Sequence, residues 1–438
     1  MNGKPDMKQS GSPGKPVPAL RQMPWRLVAL LLAYSFVSWL NRVSMSAAGT
    51  EKIIPDGVLS ETQMGDIYSA LVLTYTVFML PGGWFTDRAG PRLALILMGL
   101  GSAVFAAMTG VAGQFLVPAT GLYVGLLAAR GLMGVFTAPV YPASAWVVSL
   151  EVPENRRAEA NGLIMGAALL GIAAAPFAFG FLMDWLRWPV AFVVMGGITA
   201  ALAAAWIVAT PRRSLRELDA PTVTSSDAGD QHRCPWWDLL RNRRLLFLTT
   251  AYAFIGYYEN LFFFWSQYYF KDVMHYGKET SRVDSTVLYV AMALGMFMGG
   301  LLADRLSCAT ASRRARLLVA VCGLLGGAVF LSVGLAVTQP YLVLASLSLA
   351  LAAVGLCEGP LWAMAVESGG RRGGTAAGIF NTGGNFGGIF SPAITPRLAV
   401  AFGWTSAVAV SVGGCLVGVV FLALASSSKP AAEYQNAE

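Results

Sequence analysis

The sequence predicts an all-α membrane protein with twelve transmembrane helices in two pseudo-symmetric six-helix halves. Three observations carry that prediction: an apolar, charge-poor composition, twelve apolar stretches of spanning length, and short motifs that recur between the two halves of the chain. Of the 438 residues, 55% are hydrophobic and 13% are charged, whereas an ordinary soluble domain carries roughly 25% charge. A soluble chain of this length would need polar surface for two or three domains, and the charges for it are missing. The composition therefore excludes a soluble enzyme, a disordered chain and a disulfide scaffold.

A bilayer core of about 30 Å takes about 20 residues of helix. Such stretches lie at 25–48, 62–85, 92–113, 120–149, 159–183, 188–209, 245–270, 282–304, 315–336, 341–366, 374–400 and 404–425. Residues 1–24 are polar and rich in Pro and Gly, without the apolar core of a signal peptide. They read as a cytoplasmic tail, and residues 426–438 as a second one. The polar stretch 210–244, with its Ser, Asp and Pro, reads as a cytoplasmic linker. It separates an N-terminal half, 25–209, from a C-terminal half, 245–425.

With both termini inside, 23 Lys and Arg fall inside and 6 outside, and Arg42 and Arg130 lie within spans. That asymmetry follows the positive-inside rule. It accounts for the net charge of +7 without nucleic acid. The expected location is a plasma membrane, the inner membrane of a bacterium, with the chain a monomer in the lipid bilayer. The five cysteines, at 234, 308, 322, 357 and 415, show no C-x-x-C pairing, and His232 and His275 fall in polar connections. Neither a metal site nor a cofactor is expected.

The halves repeat at a nearly constant offset. GGWFTDR at 82–88 matches GGLLADR at 299–305, an offset of 217. In the fourth and tenth spans, Gly134, Thr137 and Pro139 match Gly355, Glu358 and Pro360, an offset of 221. In the fifth and eleventh, Gly162, Gly171 and Pro176 match Gly378, Gly387 and Pro392, an offset of 216. Gly and Pro are common here, so each match alone is weak. Three in corresponding spans point to a duplicated transporter architecture with its site between the halves near the midplane.

The same residues carry a family resemblance. Gly83-x3-Asp87-Arg88-x-Gly90-x-Arg92 resembles the loop signature of the major facilitator superfamily at every fixed position. Within it the chain is similar to the anion:cation symporter branch, which includes sugar-acid and vesicular glutamate transporters. The matching pieces are Asn41-Arg42, Tyr75 before Pro81-Gly82-Gly83, Arg130-x3-Gly134-x3-Ala138-Pro139-x2-Pro142, Gly359-Pro360-x-Trp362, and Gly378-x2-Asn381-x3-Asn385-x-Gly387-Gly388. The resemblance covers all twelve spans. It implies the major facilitator fold and a substrate-binding role for Arg42. It also implies a cytoplasmic conformational latch at Gly83, Asp87, Arg88, Gly90 and Arg92, with a degenerate copy at Asp304 and Arg305.

Arg42 is the leading candidate on physical grounds too. It lies about 17 residues into the first span, where a charged Arg costs at least about 2.5 kcal/mol on insertion scales. Its guanidinium keeps its charge and its fork matches a carboxylate. The bland alternative is a permanent ion pair with Glu259 or Glu358. Arg130 stands seven residues before Thr137, two turns away on the same helix face. It is either a structural Arg bonded to neighbouring helices or a second substrate contact.

The chain departs from the sugar-acid branch at two positions. That branch usually has an acid where Asn41 stands and a Glu where Thr137 stands, and neither residue here can titrate. The acids left in the second half are Glu358, repeat-mate of Thr137, and Glu259, approximate repeat-mate of Arg42. Low-dielectric surroundings favour the neutral form of a carboxyl group, which suits reversible protonation; a nearby Arg favours the charged form. Glu358 is thus the first candidate for proton coupling and Glu259 the second, unless each merely neutralises an Arg. Asn41, Tyr75, Thr137, Trp362, Asn381 and Asn385 are candidate substrate-binding residues in the cavity wall. The run Phe262–Trp265 reads as lipid or helix contact.

The leading functional reading is a secondary transporter of a small organic anion, a sugar acid or a mono- or dicarboxylate, in proton symport by alternating access around Arg42. No G-x4-G-K-[ST] motif supplies ATP energy, and no metalloprotease or serine-hydrolase motif marks an enzyme. The alternatives are an uncoupled uniporter or exchanger, a drug or cation exporter held by the two acids, and a non-transporting membrane sensor.

Overall fold

The computed structural model describes residues 23–115, 118–153, 156–210, 236–310, 314–370 and 373–427. Residues 1–22, most of the linker with His232 and Cys234, Arg371, Arg372 and Lys429 lie outside the described residues. Ten helical segments are long and apolar enough to cross a membrane. They are α1 (Trp25–Ile53), α2 (Glu61–Ala89), α3 (Pro91–Phe115), α4 (Ala119–Glu151), α5 (Glu159–Trp185), α6 (Trp188–Ala209), α8 (Lys278–Ala309), α9 (Ala315–Ala336), α10 (Pro340–Ser368) and α12 (Trp404–Ser427). Two further long helices, α7 (Arg243–Tyr268) and α11 (Gly373–Phe402), complete the bundle.

Local chemistry sets several boundaries. Ser60 and Gln63 form a reciprocal capping box at the start of α2, satisfying two otherwise orphaned N–H groups. Asn242 caps α7 by accepting from the Leu245 N–H at 3.2 Å. Helix α2 runs through Pro81, Gly82 and Gly83 and four residues past the expected end, because no breaker occurs between Phe85 and Gly90. That glycine adopts φ +79° and donates its N–H to the Thr86 carbonyl at 2.9 Å. Asp87 therefore lies in the last turn of α2, not ahead of α3. Asp304 and Arg305 likewise lie inside α8.

A break falls beside a proline in the fourth span and in the tenth, three residues apart in the repeat register. Helix α4 is divided at Ala138–Pro139 and α10 at Leu356–Cys357, ahead of Glu358 and Pro360. Proline has no N–H to continue the ladder and its ring crowds the preceding turn. The repeat glycines have equivalent neighbours as well. A Cβ on Gly134 would meet the Leu71 carbonyl of α2, and one on Gly355 the Met292 carbonyl of α8. Gly171 closes on Phe36 of α1, and Gly387 on Ala253 of α7. The twofold repeat read from the motifs is thus a repeat of helix contacts.

The halves meet along the predicted outer face. Tyr68 of α2 stacks on Phe264 of α7 with centroids 5.0 Å apart. Ser46 donates to the Phe264 carbonyl at 2.6 Å. Arg397 of α11 pairs with Asp66 of α2 at 2.8 Å, and Tyr268 of α7 donates to Glu61 of α2. Arg282 of α8 reaches Glu51 and Asp184, and Thr286 donates to the Ala173 carbonyl of α5 at 3.0 Å. Toward the predicted cytoplasmic face no hydrogen bond or ion pair between the halves is found among the described residues. Nothing lies within 4 Å of a Cβ placed on Gly83, Gly162, Gly166, Gly374 or Gly378. The described hydrogen bonds and ion pairs between the halves gather at one face of the bundle.

The run Phe262–Trp265 is fully buried between helices and does not face lipid. The Trp265 indole N–H donates to the Pro392 carbonyl at 3.1 Å. Pro396 lacks the N–H that would normally take that carbonyl, so the indole replaces a missing helical bond.

Candidate functional site

Arg42 lies on the inner face of α1 with 6% of its surface exposed. Its guanidinium carbon is 4.4 Å from the Trp39 ring centroid and 4.9 Å from that of Tyr75. Its Nε and Nη2 are buried and have no hydrogen-bond partner. The alternative of an ion pair with Glu259 or Glu358 is not what is found; aromatic faces hold the cation instead. The unsatisfied Nε–Nη2 edge is the edge of an arginine that binds a carboxylate through two parallel bonds.

The cleft beside this edge is lined by Ser38, Trp39, Leu71, Tyr75, Met133, Thr137, Val140 and Tyr141, all from α1, α2 and α4. The Trp39 indole N–H donates to Tyr141 Oη at 2.5 Å, fixing both rings. The Thr137 hydroxyl donates back to the Met133 and Gly134 carbonyls of its own helix, at 3.1 and 3.0 Å. Trp39 and Tyr141 were not among the residues singled out from the sequence. The signal was present: Trp39 is one turn before Arg42, and Tyr141 one turn after Thr137.

Two anticipated cavity residues lie elsewhere. Asn41 points away from the cleft and donates to Thr199 of α6 at 2.9 Å. Arg130, 1% exposed, donates to the Asn41 carbonyl through both Nη atoms at 3.0 Å and to the Arg42 carbonyl at 2.6 Å. Thr137 and Arg130 share a helix face, but the longer side chain turns to the backbone of α1. In a site with little water, carbonyl oxygens take over the solvation of the guanidinium. Arg130 thus fastens the turn of α1 that presents Arg42.

The second half gathers the acids. Glu358 Oε2 accepts from Tyr252 Oη at 3.0 Å and from the Trp362 indole N–H at 3.1 Å. Glu259 and Glu358 each keep a buried Oε1 with no partner among the ordinary donors. Tyr252 is held by Phe380 of α11, stacked at 4.1 Å. It stands two turns before Glu259, a spacing that could have marked it in the sequence. Asn385 donates to the Asn381 carbonyl at 3.0 Å and to Asn381 Oδ1 at 3.2 Å, so these amides bond mainly to one another on a half-buried face of α11.

At the predicted cytoplasmic face, Arg92 ties α3 to α6 through the Thr210 and Ile207 carbonyls, the latter at 3.4 Å. Arg88 covers the Trp84 ring at 4.6 Å. Asp87, Asp304 and Arg305 are exposed. Asp87 makes no hydrogen bond or ion pair with a described residue.

A duplicated twelve-helix bundle with a buried, unsatisfied cation in one half defines a membrane carrier. The chain belongs to the Major Facilitator Superfamily, whose family model matches residues 27–392. It is 25% identical over 407 residues to a probable sulfoacetate transporter of Cupriavidus necator, covering 91% of this chain and 92% of that one. It is also 25% identical over 428 residues to a D-galactonate transporter of Escherichia coli, covering 92% and 96%. Among solved structures, a D-xylose-proton symporter superposes with a TM-score of 0.73 at 15% identity, covering 93% and 98%. A bacterial homologue of the human lysosomal transporter Spinster, in an inward-facing and occupied conformation, gives the same score, identity and coverage. The family is one of multi-pass membrane transporters, not enzymes.

Proposed function

We propose that the protein carries a small organic anion, a sugar acid or a mono- or dicarboxylate, by alternating access around Arg42. The observation that carries this reading is the free Nε–Nη2 edge of a buried guanidinium beside a cleft. A charge left unpaired at that depth is costly unless a ligand completes it. Tyr75, Tyr141, Ser38 and Thr137 line the rest of the N-terminal side. Trp362, Asn381 and Asn385 of the C-terminal half would meet the substrate's far end. The relatives named above for sulfoacetate and D-galactonate act on organic anions, which supports the class.

Glu358 and Glu259 are the proposed proton carriers, which makes the transport a proton symport. The latch is proposed to lie at Gly83, Asp87, Arg88, Gly90 and Arg92, with Asp304 and Arg305 as its weaker copy. The halves would move as units over 25–209 and 245–425, with both termini cytoplasmic in a bacterial inner membrane and the chain a monomer.

The test is uptake of labelled D-galactonate, sulfoacetate and simple dicarboxylates into proteoliposomes, with and without an inward proton gradient. Arg42→Ala serves as the blank. Uptake of at least one anion that depends on Arg42 supports the reading. Uptake that survives Arg42→Ala sinks it. Uptake that depends on Arg42 but ignores the gradient leaves a uniporter or exchanger.

A further inference from the structure

We propose that Arg282, Gln267 and Lys278 form a second anion site, a carboxylate receptor at the predicted outer mouth. Glu51 fills it while the outer seam is closed, and the carboxylate of an arriving organic anion fills it while the seam is open. The inference deepens the proposed anion transport and rests on it for the arriving ligand, though not for the receptor itself.

The receptor is read from its present occupant. Glu51 stands at the outer end of α1, and its carboxylate is almost fully buried. Its Oε1 accepts from Arg282 Nε at 2.6 Å and from Gln267 Nε2 at 2.7 Å. Its Oε2 accepts from Arg282 Nη2 at 2.6 Å, with the Lys278 ammonium 3.9 Å away. A carboxylate that leaves water needs strong, well-placed donors on both oxygens. Two parallel bonds from one planar guanidinium edge, joined by an amide and an ammonium, supply them. Arg282 and Gln267 are buried as well.

The donors and the occupant belong to opposite halves. Gln267 comes from α7, and Lys278 and Arg282 come from α8, so the three stay assembled when the halves part. Glu51 leaves with the first half. So does Asp184 of α5, which holds Arg282 Nη1 at 2.6 Å and pairs with Lys278. Only Glu279, one turn before Arg282 and largely exposed, travels with the donors, at 3.3 Å. Opening therefore turns two cations and an amide, set against one solvated acid, toward the outer solution. The pair of Arg397 with Asp66 differs. Asp66 takes its further bond from Tyr123 of its own half, so that donor set comes apart when the seam opens.

The position suits a first station on the way to Arg42. Glu51 follows Arg42 by nine residues on α1, which sets the receptor about 13 Å farther out. An anion bound there takes the donors that Glu51 needs for closure. It binds only the open seam and so favours that state. Passage inward to Arg42 returns the donors to Glu51 and lets the seam close.

The first experiment is chemical rescue of the full chain in detergent. Glu51→Ala empties the receptor and should lower the melting temperature. Acetate should restore much of that loss, saturably, whereas chloride at the same ionic strength should not. Adding Gln267→Leu to Glu51→Ala should raise the acetate concentration needed several-fold. The second experiment keeps Glu51 and measures uptake into proteoliposomes with the predicted outer face outward. For the best carried of D-galactonate, sulfoacetate and the dicarboxylates, Lys278→Gln and Gln267→Leu should each raise the external KM several-fold. Lys271→Gln, at the same face but paired with Asp272, should leave it alone. Acetate no better than chloride overturns the inference, and so does an external KM unchanged in both receptor variants. If Glu51→Ala does not fold, the KM measurement decides. If acetate rescues Glu51→Ala but no anion is carried, the receptor stands and the transport reading alone fails. If anions are carried through Arg42 but acetate gives no rescue, the receptor alone fails.

Discussion

Arg282 of α8 grips Glu51 of α1 through two bonds of 2.6 Å, Nε to Oε1 and Nη2 to Oε2, with 1% and 7% of their surfaces exposed. The same guanidinium reaches Asp184 at 2.6 Å and the Gly180 carbonyl at 2.8 Å. Gln267 donates to Glu51 at 2.7 Å. These bonds cross from one half to the other, so this arginine is the centre of the outer closure.

Removing one partner of a buried ion pair costs about 3–5 kcal/mol, because the other charge is left stranded. Arg282→Ala strands Glu51 and should shift the protein toward an outer-open state. Spin labels on the outer ends of α2 and α11 should report longer distances in the variant. An unchanged distance distribution would show that apolar contacts such as Tyr68 on Phe264 hold the closure alone.

Arg42→Lys should lose most transport although the charge is kept. An ammonium cannot reproduce two parallel bonds from one planar edge. A loss of about 2 kcal/mol, more than tenfold in anion affinity, is expected from the rule for truncated charge pairs. Competition binding of the transported anion checks it, and near wild-type affinity would count against the two-bond geometry.

Arg130→Gln should lower stability more than it alters affinity. The change removes bonds from a charged donor, each worth about 1.5–3 kcal/mol, and loosens α1 behind Arg42. Thermal unfolding in detergent should show the drop. A variant with wild-type stability but weak anion binding would instead make Arg130 a substrate contact.

Gly256→Ala forces a Cβ into the Gly384 backbone, where α7 and α11 touch. Overpacking of this kind costs typically about 1–3 kcal/mol. Gly413 in α12 has nothing within 4 Å of a Cβ, and alanine there should be neutral or slightly stabilising by helix propensity. The two melting temperatures, compared side by side, test the assignment of this contact.

Asp87→Asn changes a side chain that is exposed and has no described partner in this state. The substitution should leave the energy of this state alone and weaken whatever contact the carboxylate makes when the cytoplasmic face closes. The expected result is a shift toward the state open at that face, read as faster labelling of a cysteine at Gly378. Slower labelling would rule out the latch role.

Spans, duplication and the deep position of Arg42 were legible in the sequence because bilayer thickness, proline and charge act locally. What was not legible depends on where long side chains go after leaving their helix. Arg130 and Thr137 share a helix face, yet one turns to the carbonyls of α1 and the other stays at the cleft. Asn41, adjacent to Arg42, necessarily points elsewhere on a helix and finds Thr199. Glu358 could be named, but its Tyr252 donor depends on how α7 packs on α10. Spacing along one helix carries no information about that packing. Asp87 was misplaced for a simpler reason: only the glycine at 90 stops α2.

The outer seam pairs unlike surfaces. The acids bonded across it come from the first half, at Glu51, Glu61, Asp66 and Asp184, and their cationic or hydroxyl partners from the second, at Lys278, Arg282, Arg397 and Tyr268. The motifs of the two halves still match, but their mating surfaces have become plug and socket. A carrier reassembled from two copies of either half would set acid against acid or base against base across the seam. The duplication that built the chain has thus become irreversible: neither half can any longer serve as its own partner.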